Sequence, residues 1–395
     1  MPDAWPRVIV AGGSIGGLTT AVLLRDLGCD VVVYERADRD LEDRGTGIVV
    51  LPITERYFTD RGGDDDRVSL ELTYWTYVDG SGEIVSADTD HFRFSGWSTI
   101  YRALLAEFGR DDYHFGSEVV GFEMEGDRVN VLIADGRGDD ADLLVFADGM
   151  GSTGRSLLAP LKQPEYAGYV AWRGTVPERA LSTATQELIA DAMVYQVLDP
   201  GHVLVYAIPS REGLTTPPDR DINFVWYRNY PEGGAFDSIM TDRSGVRRSG
   251  TMPPGSVGEE HVAETQSTAR ETLAPQLAEI VLACDEPLIQ AVFDVDSDRM
   301  VFDRVCLLGD AAFTLRPHVA AGQAKACADA WALRDALAAT NGNVATALGS
   351  WEPRQLALGR TALARTRQMG VASQFGATMV PGDPTWKFGL WEPGN

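Results

Sequence analysis

Three short stretches carry residues whose type and spacing suit chemistry. In "VIVAGGSIGGL" (8–18) an apolar run ends in a turn where Gly12, Ser14 and Gly17 take the places of G-x-G-x-x-G, with serine in the middle. The first glycine permits a tight turn, and the third lets a helix pack close to its strand. The middle position faces whatever lies on the helix N-terminus, where free N–H groups and the dipole favour anions. Glu35 stands 23 residues beyond Gly12, near the distance at which a dinucleotide fold places its ribose-binding acid. Pyrophosphate and ribose recognition by Gly12, Ser14, Ile15, Gly17, Glu35 and Arg36 is the chemistry implied. In "DGMGSTGR" (148–155), Gly149, Gly151 and Gly154 repeat the spacing, but residue 172, where an acid would be needed, is Trp. This stretch therefore reads as a second loop at the same ligand, with Asp148 closing the strand "LLVFAD" and Arg155 on the next turn. In "LLGDAAFTLRPHVAAGQAKACADA" (307–330) a strand-like run stops at Gly309-Asp310, and Pro317, His318 and Gly322 precede a helix-like stretch. Asp310 can accept from a hydroxyl of a bound polar chain. Pro317 stiffens the loop, and Gly322 lets backbone N–H groups approach a ring edge. His318 is the group there whose charge can change near neutral pH, which makes it a candidate general base.

The elements around these stretches follow from hydrophobic periodicity. Residues 7–34 read as strand, turn, helix and strand, a βαβ unit that implies a parallel sheet. From about Val68 to Phe94 the pattern alternates with Gly-rich turns, the mark of a hairpin. "SGWSTIYRALLAEFG" reads as a helix, and strands resume from Val119 to Val145. Residues 166–230 are aromatic and β-branched. A helical pair spans 259–283, strand and helix return over 301–340, a helix covers 344–379, and the tail reads as an irregular arm. The fold class is α/β. A Rossmann-type domain (1–67, 98–165 and 287–340) is interleaved with a β-rich substrate domain (68–97 and 166–286), and a C-terminal helix and arm follow (341–395). Tyr206, Trp226 and Tyr227 sit on strands of the β-rich part, as pocket lining or as core.

Composition excludes several function classes. A net charge of −24 over 395 residues argues against nucleic acid and against an anionic membrane surface. No apolar run approaches the ~18 residues of a spanning helix, and the N-terminus lacks the pattern of a signal peptide. Cys29, Cys284, Cys306 and Cys327 are scattered, which reads as reduced thiols and a cytoplasmic location. The five histidines show no metal-ligand spacing, so no metal is expected.

The three motifs in this order resemble the class A, para-hydroxybenzoate hydroxylase-like, FAD-dependent aromatic monooxygenases. "YAGYVAWRG" (166–174), "SDRMVFDRVCLLGDAAFTLRPHVAAGQAKACADA" (297–330) and "SWEPRQL" (350–356) extend the likeness over most of the chain, toward the hydroxypyridine hydroxylases of bacterial nicotine degradation. The resemblance implies noncovalent FAD. Its ADP part would lie on Gly12, Ser14, Gly17 and Glu35, and its phosphates near Arg102 of "IYRALLAEF". Gly47, in "GTGIVVLP" (45–52), would pass the flavin. That segment holds no His or Cys for covalent attachment. Asp148, Gly149 and Arg155 would serve FAD and the reduced nicotinamide. Gly309 and Asp310 would hold the ribitol, with Pro317 and Gly322 beside the ring. The implied partners are a small aromatic substrate, O2, and NADH or NADPH bound transiently without a second dinucleotide domain. A homodimer stays open. The implied reaction passes hydride to FAD, forms a flavin C(4a) hydroperoxide with O2, and lets an electron-rich hydroxypyridine or phenol ring take the distal oxygen, with His318 as base. Two alternatives stand beside it: an FAD oxidoreductase without oxygen insertion, and a flavin-binding module without turnover.

Overall fold

The computed structural model describes residues 5–42, 46–62 and 68–394. Gly45, which opens the predicted flavin-side segment, and parts of the first nucleotide-type segment lie outside them. Strand Arg7–Ala11 is buried from its second residue onward. It pairs in parallel with Asp30–Tyr34 on one side and Leu143–Phe146 on the other. A strand buried on both faces is apolar throughout rather than alternating, which is why "RVIVA", "DVVVY" and "LLVF" look alike. Helix Ile15–Leu27 joins the first two strands and stops at Gly28, whose left-handed φ of 108° lets its N–H reach back to the Leu24 and Arg25 carbonyls. Val305–Leu307 extends the parallel sheet beyond Leu143–Phe146, and the sheet has six strands in all. Its register sets Tyr34, Ala11, Phe146 and Leu307 in one row. Glu35, Gly12, Asp148 and Gly309 therefore emerge together at the carboxyl edge, where open α/β sheets bind ligands.

A second sheet has nine strands. Its centre is antiparallel: Glu165–Pro177, Asp221–Asn229 and His202–Ile208 pair in turn. Strands Gly47–Val50 and Leu288–Asp294, which the sequence reading put with the nucleotide segments, pair in this larger sheet. Segments on either side of the nucleotide-type stretches are thus tied by backbone hydrogen bonds into the larger sheet. A small antiparallel sheet spans Val119–Glu125, Arg128–Ile133 and Gly138–Ala141.

Helix Gly322–Ala339 packs on the fingerprint helix through small residues; a Cβ on Gly16 would stand 3.0 Å from Ala326 Cβ. The long helix Val344–Gln374 tolerates Pro353 in its interior and stops five residues short of the predicted end. Beyond it the chain is irregular, save for one turn at Pro384–Trp386. This arm folds back, and Phe388 packs against Trp75 and Phe92 at ring-centroid distances of 4.7 and 5.4 Å.

Candidate active site

A cavity of about 770 Å³ is lined by residues of both large sheets, the tail and the motif loops. At the nucleotide end, Gly12 has φ of +102°, and a Cβ there would collide with the Ala147 carbonyl; one on Gly17 would collide with the Gly12 carbonyl. Both glycines are required by the crossing of backbone segments, whatever the ligand. Glu35 is buried, and its two carboxylate oxygens accept from the Gly13 and Ala37 N–H groups, each at 2.8 Å. It is thereby fixed at the cavity wall beside Arg36. Ser14 precedes the helix without a side-chain cap bond, and with Ile15 it lines the cavity.

In the second loop, Asp148 Oδ2 accepts from Gly154 N–H at 3.2 Å, and Oδ1 is buried with no partner. Burial, its largest influence, raises the Asp148 pKa. In the third loop, Asp310 lines the cavity. Burial pushes its pKa up to about 6 against the attraction of Lys325 and Arg155. Gly309 has φ of +61° and donates to Asp329 Oδ2 at 2.9 Å, while Lys325 pairs with the same oxygen at 2.6 Å. That buried pair anchors the turn that displays Asp310. Pro317, Gly149 and Gly322 line the cavity, and a Cβ on either glycine would meet no protein atom. Gly47 is fixed from both sides, donating to Asn223 Oδ1 at 2.8 Å and accepting from Arg173 at 2.5 Å. The orphaned Asp148 oxygen, the open Asp310 carboxylate and the empty space at Gly149 and Gly322 form a polar cradle that fits FAD.

Three expected contacts are placed elsewhere. Arg102 donates to the Arg211 carbonyl at 3.2 Å and does not line the cavity, because its helix leads away after Trp97. Arg155 is buried and braces the loops, donating to the Lys162 and Ala311 carbonyls at 2.9 and 3.0 Å and to that of Met150. Trp226 points away. On its strand Val225 and Tyr227 line the cavity, and the period of two turns Trp226 to the other face, where Arg228 covers its ring at 5.1 Å.

The far end of the cavity is aromatic. Tyr206 and Tyr227 line it, and burial pushes the Tyr206 pKa up to about 12. His318 is 5% exposed; its Nε2 lies 2.7 Å from the Tyr169 hydroxyl, and its Nδ1 has no partner. Burial above all, then His202 and the Arg316 cation, holds its pKa well below the usual value. The expected histidine titrating near neutrality gives way to a neutral one. Sequence reasoning missed His202, which lines the cavity, has Nδ1 2.5 Å from Ser373 Oγ, and is held by burial at a pKa of about 3. The signal was present: His202, Leu204 and Tyr206 alternate on one strand and share the cavity face. Arg173, which donates to Gln290 Oε1 at 2.9 Å, was also missed as a lining cation. Among the described residues no group of His, Cys, Asp and Glu could hold a metal ion, and no helix is long and apolar enough to cross a membrane.

Residues 166–294 match a family model described as FAD binding domain-like. The chain is 38% identical over 391 residues to 2,6-dihydroxypyridine 3-monooxygenase of Paenarthrobacter nicotinovorans, covering 99% of this chain and 97% of that one. It superposes with a TM-score of 0.92 and 36% identity on the structure of 2,6-dihydroxypyridine-3-hydroxylase from Arthrobacter nicotinovorans, over 98% of both chains. Klebsiella pneumoniae HpxO, solved with FAD and uric acid, shares the fold at a TM-score of 0.76 and 24% identity, over 93% of this chain and 89% of that one.

Proposed function

The chain belongs to the FAD-dependent aromatic monooxygenases, and from that premise we propose that it hydroxylates a small hydroxypyridine or phenol, with NADH or NADPH and O2 as co-substrates. The observation that carries this reading is the continuity of one cavity, from the polar cradle of Glu35, Asp148 and Asp310 to the aromatic end at Tyr206, Tyr227 and His318. Bound FAD supplies the redox chemistry, taking up hydride and activating O2 for transfer to the ring. The chain supplies position and dryness. Gly12, Ser14, Ile15, Gly17, Glu35 and Arg36 hold the dinucleotide end. Asp148, Gly149, Gly309, Asp310, Pro317 and Gly322 hold the chain and ring region, with Gly47 alongside. Tyr206 and Tyr227 sandwich or edge the substrate, and His318 and His202 meet its polar groups. Phe388 and the arm exclude water, which protects an oxygen-transfer step from wasteful release of peroxide. The reduced nicotinamide reaches the same cavity from outside, and the reaction belongs in the cytoplasm, where Cys29, Cys284, Cys306 and Cys327, all free and buried, stay reduced.

The test is a panel of hydroxylated pyridines and phenols scored for stimulated NAD(P)H oxidation together with a hydroxylated product. The reading expects at least one ring to give both. Stimulated oxidation with a reduced or dehydrogenated ring, and no added oxygen, would favour the oxidoreductase alternative.

A further inference from the structure

The C-terminal arm reaches the aromatic end of the cavity, and its hold there is concentrated on one residue. Chain ends usually fray unless they are tied down. Here Val380 and Trp391 are 57% and 47% exposed, but Phe388 is 2% exposed and lines the cavity. Its ring packs on Trp75 of strand Leu70–Val78 and Phe92 of strand Ile84–Gly96. Trp75 stacks on Tyr195, and Tyr195 on His202, at centroid distances of 5.3 and 5.6 Å. Phe388 therefore continues the aromatic wall that Tyr195 and His202 present to the cavity. The backbone on each side of it is pinned. Arg365, on the long helix, donates to the Gly389 carbonyl at 2.8 Å and to that of Lys387. Lys387 pairs with Asp90 at 2.7 Å. The Gly389 N–H donates at 3.1 Å to the carbonyl of Val319, on the same short turn as Pro317 and His318. These ties hold Phe388 in place relative to the His318 turn, which lines the same cavity. The facing wall, from strands His202–Ile208 and Asp221–Asn229, is fixed by sheet pairing. The arm, held by a few bonds, is the part of the boundary whose position a small change can alter.

We infer that Phe388 is a specificity-determining residue that sets the upper size of the substrate: it holds this end of the cavity to a single aromatic ring and excludes a fused second one, with Arg365 as the positioning residue that keeps it there. This rests on the monooxygenase reading and adds a size limit to it. The physical basis is packing. Forcing extra ring atoms against a wall that does not yield resembles overpacking a core, which corresponds to about tenfold or more in affinity. Phe388→Ala vacates a phenyl-shaped space beside Trp75 and Phe92. An apolar space of that kind stays dry and accepts an aromatic ring.

The test uses two pairs of probes in which the second member adds one fused benzene ring: 2,6-dihydroxypyridine with 1,3-dihydroxyisoquinoline, and catechol with 2,3-dihydroxynaphthalene. Each is titrated anaerobically into the FAD-loaded enzyme, with binding read from the change in flavin absorbance, and is then assayed with NAD(P)H and O2 for a hydroxylated product. The unaltered enzyme should favour the single ring of at least one pair by about tenfold or more. Phe388→Ala should cut that preference about tenfold, through tighter binding of the fused ring. Arg365→Ala, which does not line the cavity and frees the arm, should move the ratio the same way by a smaller factor with flavin content unchanged. A Phe388 that only covers the core would weaken both members of a pair together and leave their ratio intact. Equal or tighter binding of the fused ring by the unaltered enzyme overturns the size limit. So does an unchanged ratio in Phe388→Ala or, where that variant does not fold, in Arg365→Ala. If single rings are still hydroxylated in that case, the monooxygenase reading stands; if no ring of the wider hydroxypyridine and phenol panel is bound or hydroxylated, both fall.

Discussion

Replacing Asp310 by asparagine tests how the third motif loop trades stability for a ligand. Burial raises the Asp310 pKa from 3.8 to about 6 despite the nearby Lys325 and Arg155. A group whose folded pKa lies above its unfolded value favours folding at low pH, and that contribution is lost as pH rises toward the folded pKa. At pH 7 the carboxylate is ionised in both states, and the folded apoprotein carries the full penalty. A rise of that size corresponds to about 3 kcal/mol. An asparagine side chain resembles the protonated acid, so the apoprotein of Asp310→Asn should be more stable than the parent at pH 7 by about 1–3 kcal/mol, with the gap closing near pH 4. The holoprotein should show the opposite. A ribitol hydroxyl that donates to a carboxylate loses a charged acceptor, worth about 1.5–3 kcal/mol, and FAD should bind roughly 10- to 100-fold more weakly. Denaturant melts of apoprotein at pH 7 and pH 5, alongside flavin fluorescence titrations, separate the two effects. A variant whose apoprotein is less stable than the parent at pH 7, or whose FAD affinity is unchanged, would refute the reasoning.

Three further outcomes are expected. Gly12→Val should yield colourless or unfolded protein, because its Cβ collides with the Ala147 carbonyl at a left-handed φ; normal flavin absorbance after purification would contradict this. His318→Ala should keep FAD, while product formed per NAD(P)H consumed falls about tenfold for a lost buried hydrogen bond and peroxide rises to match; an unchanged coupling ratio would make His318 a packing residue. Phe388→Ala should cost about 3–5 kcal/mol by emptying the space between Trp75 and Phe92 and should let more peroxide escape, checked by thermal melts and peroxide assay.

The nucleotide half was legible because it is local. Parallel strands buried on both faces read as apolar runs, and the Gly12 turn, Glu35, Asp148 and Gly309-Asp310 each closely follow one. What escaped depended on contacts far apart in sequence. Strands Gly47–Val50 and Leu288–Asp294 belong to the larger sheet through partners about 50 and 120 residues away. Arg155 has the right type for a phosphate contact, but its guanidinium is taken by carbonyls as distant as that of Ala311. The neutral state of His318 is set by burial above all, then by His202 and Arg316, an environment that exists only in the folded chain. Tyr227 and Trp226 are neighbours of similar type, and only the strand's facing separates lining from core.

The central claim is that this cavity directs oxygen from O2 into an aromatic ring. The direct measurement is turnover of the best ring from the hydroxypyridine and phenol panel under ¹⁸O2, with mass analysis of the product and a peroxide assay on the same sample. The account predicts one labelled oxygen per product molecule, little peroxide, and NAD(P)H consumed in step with product. Unlabelled product, or NAD(P)H oxidation that ends in peroxide across the whole panel, would contradict it.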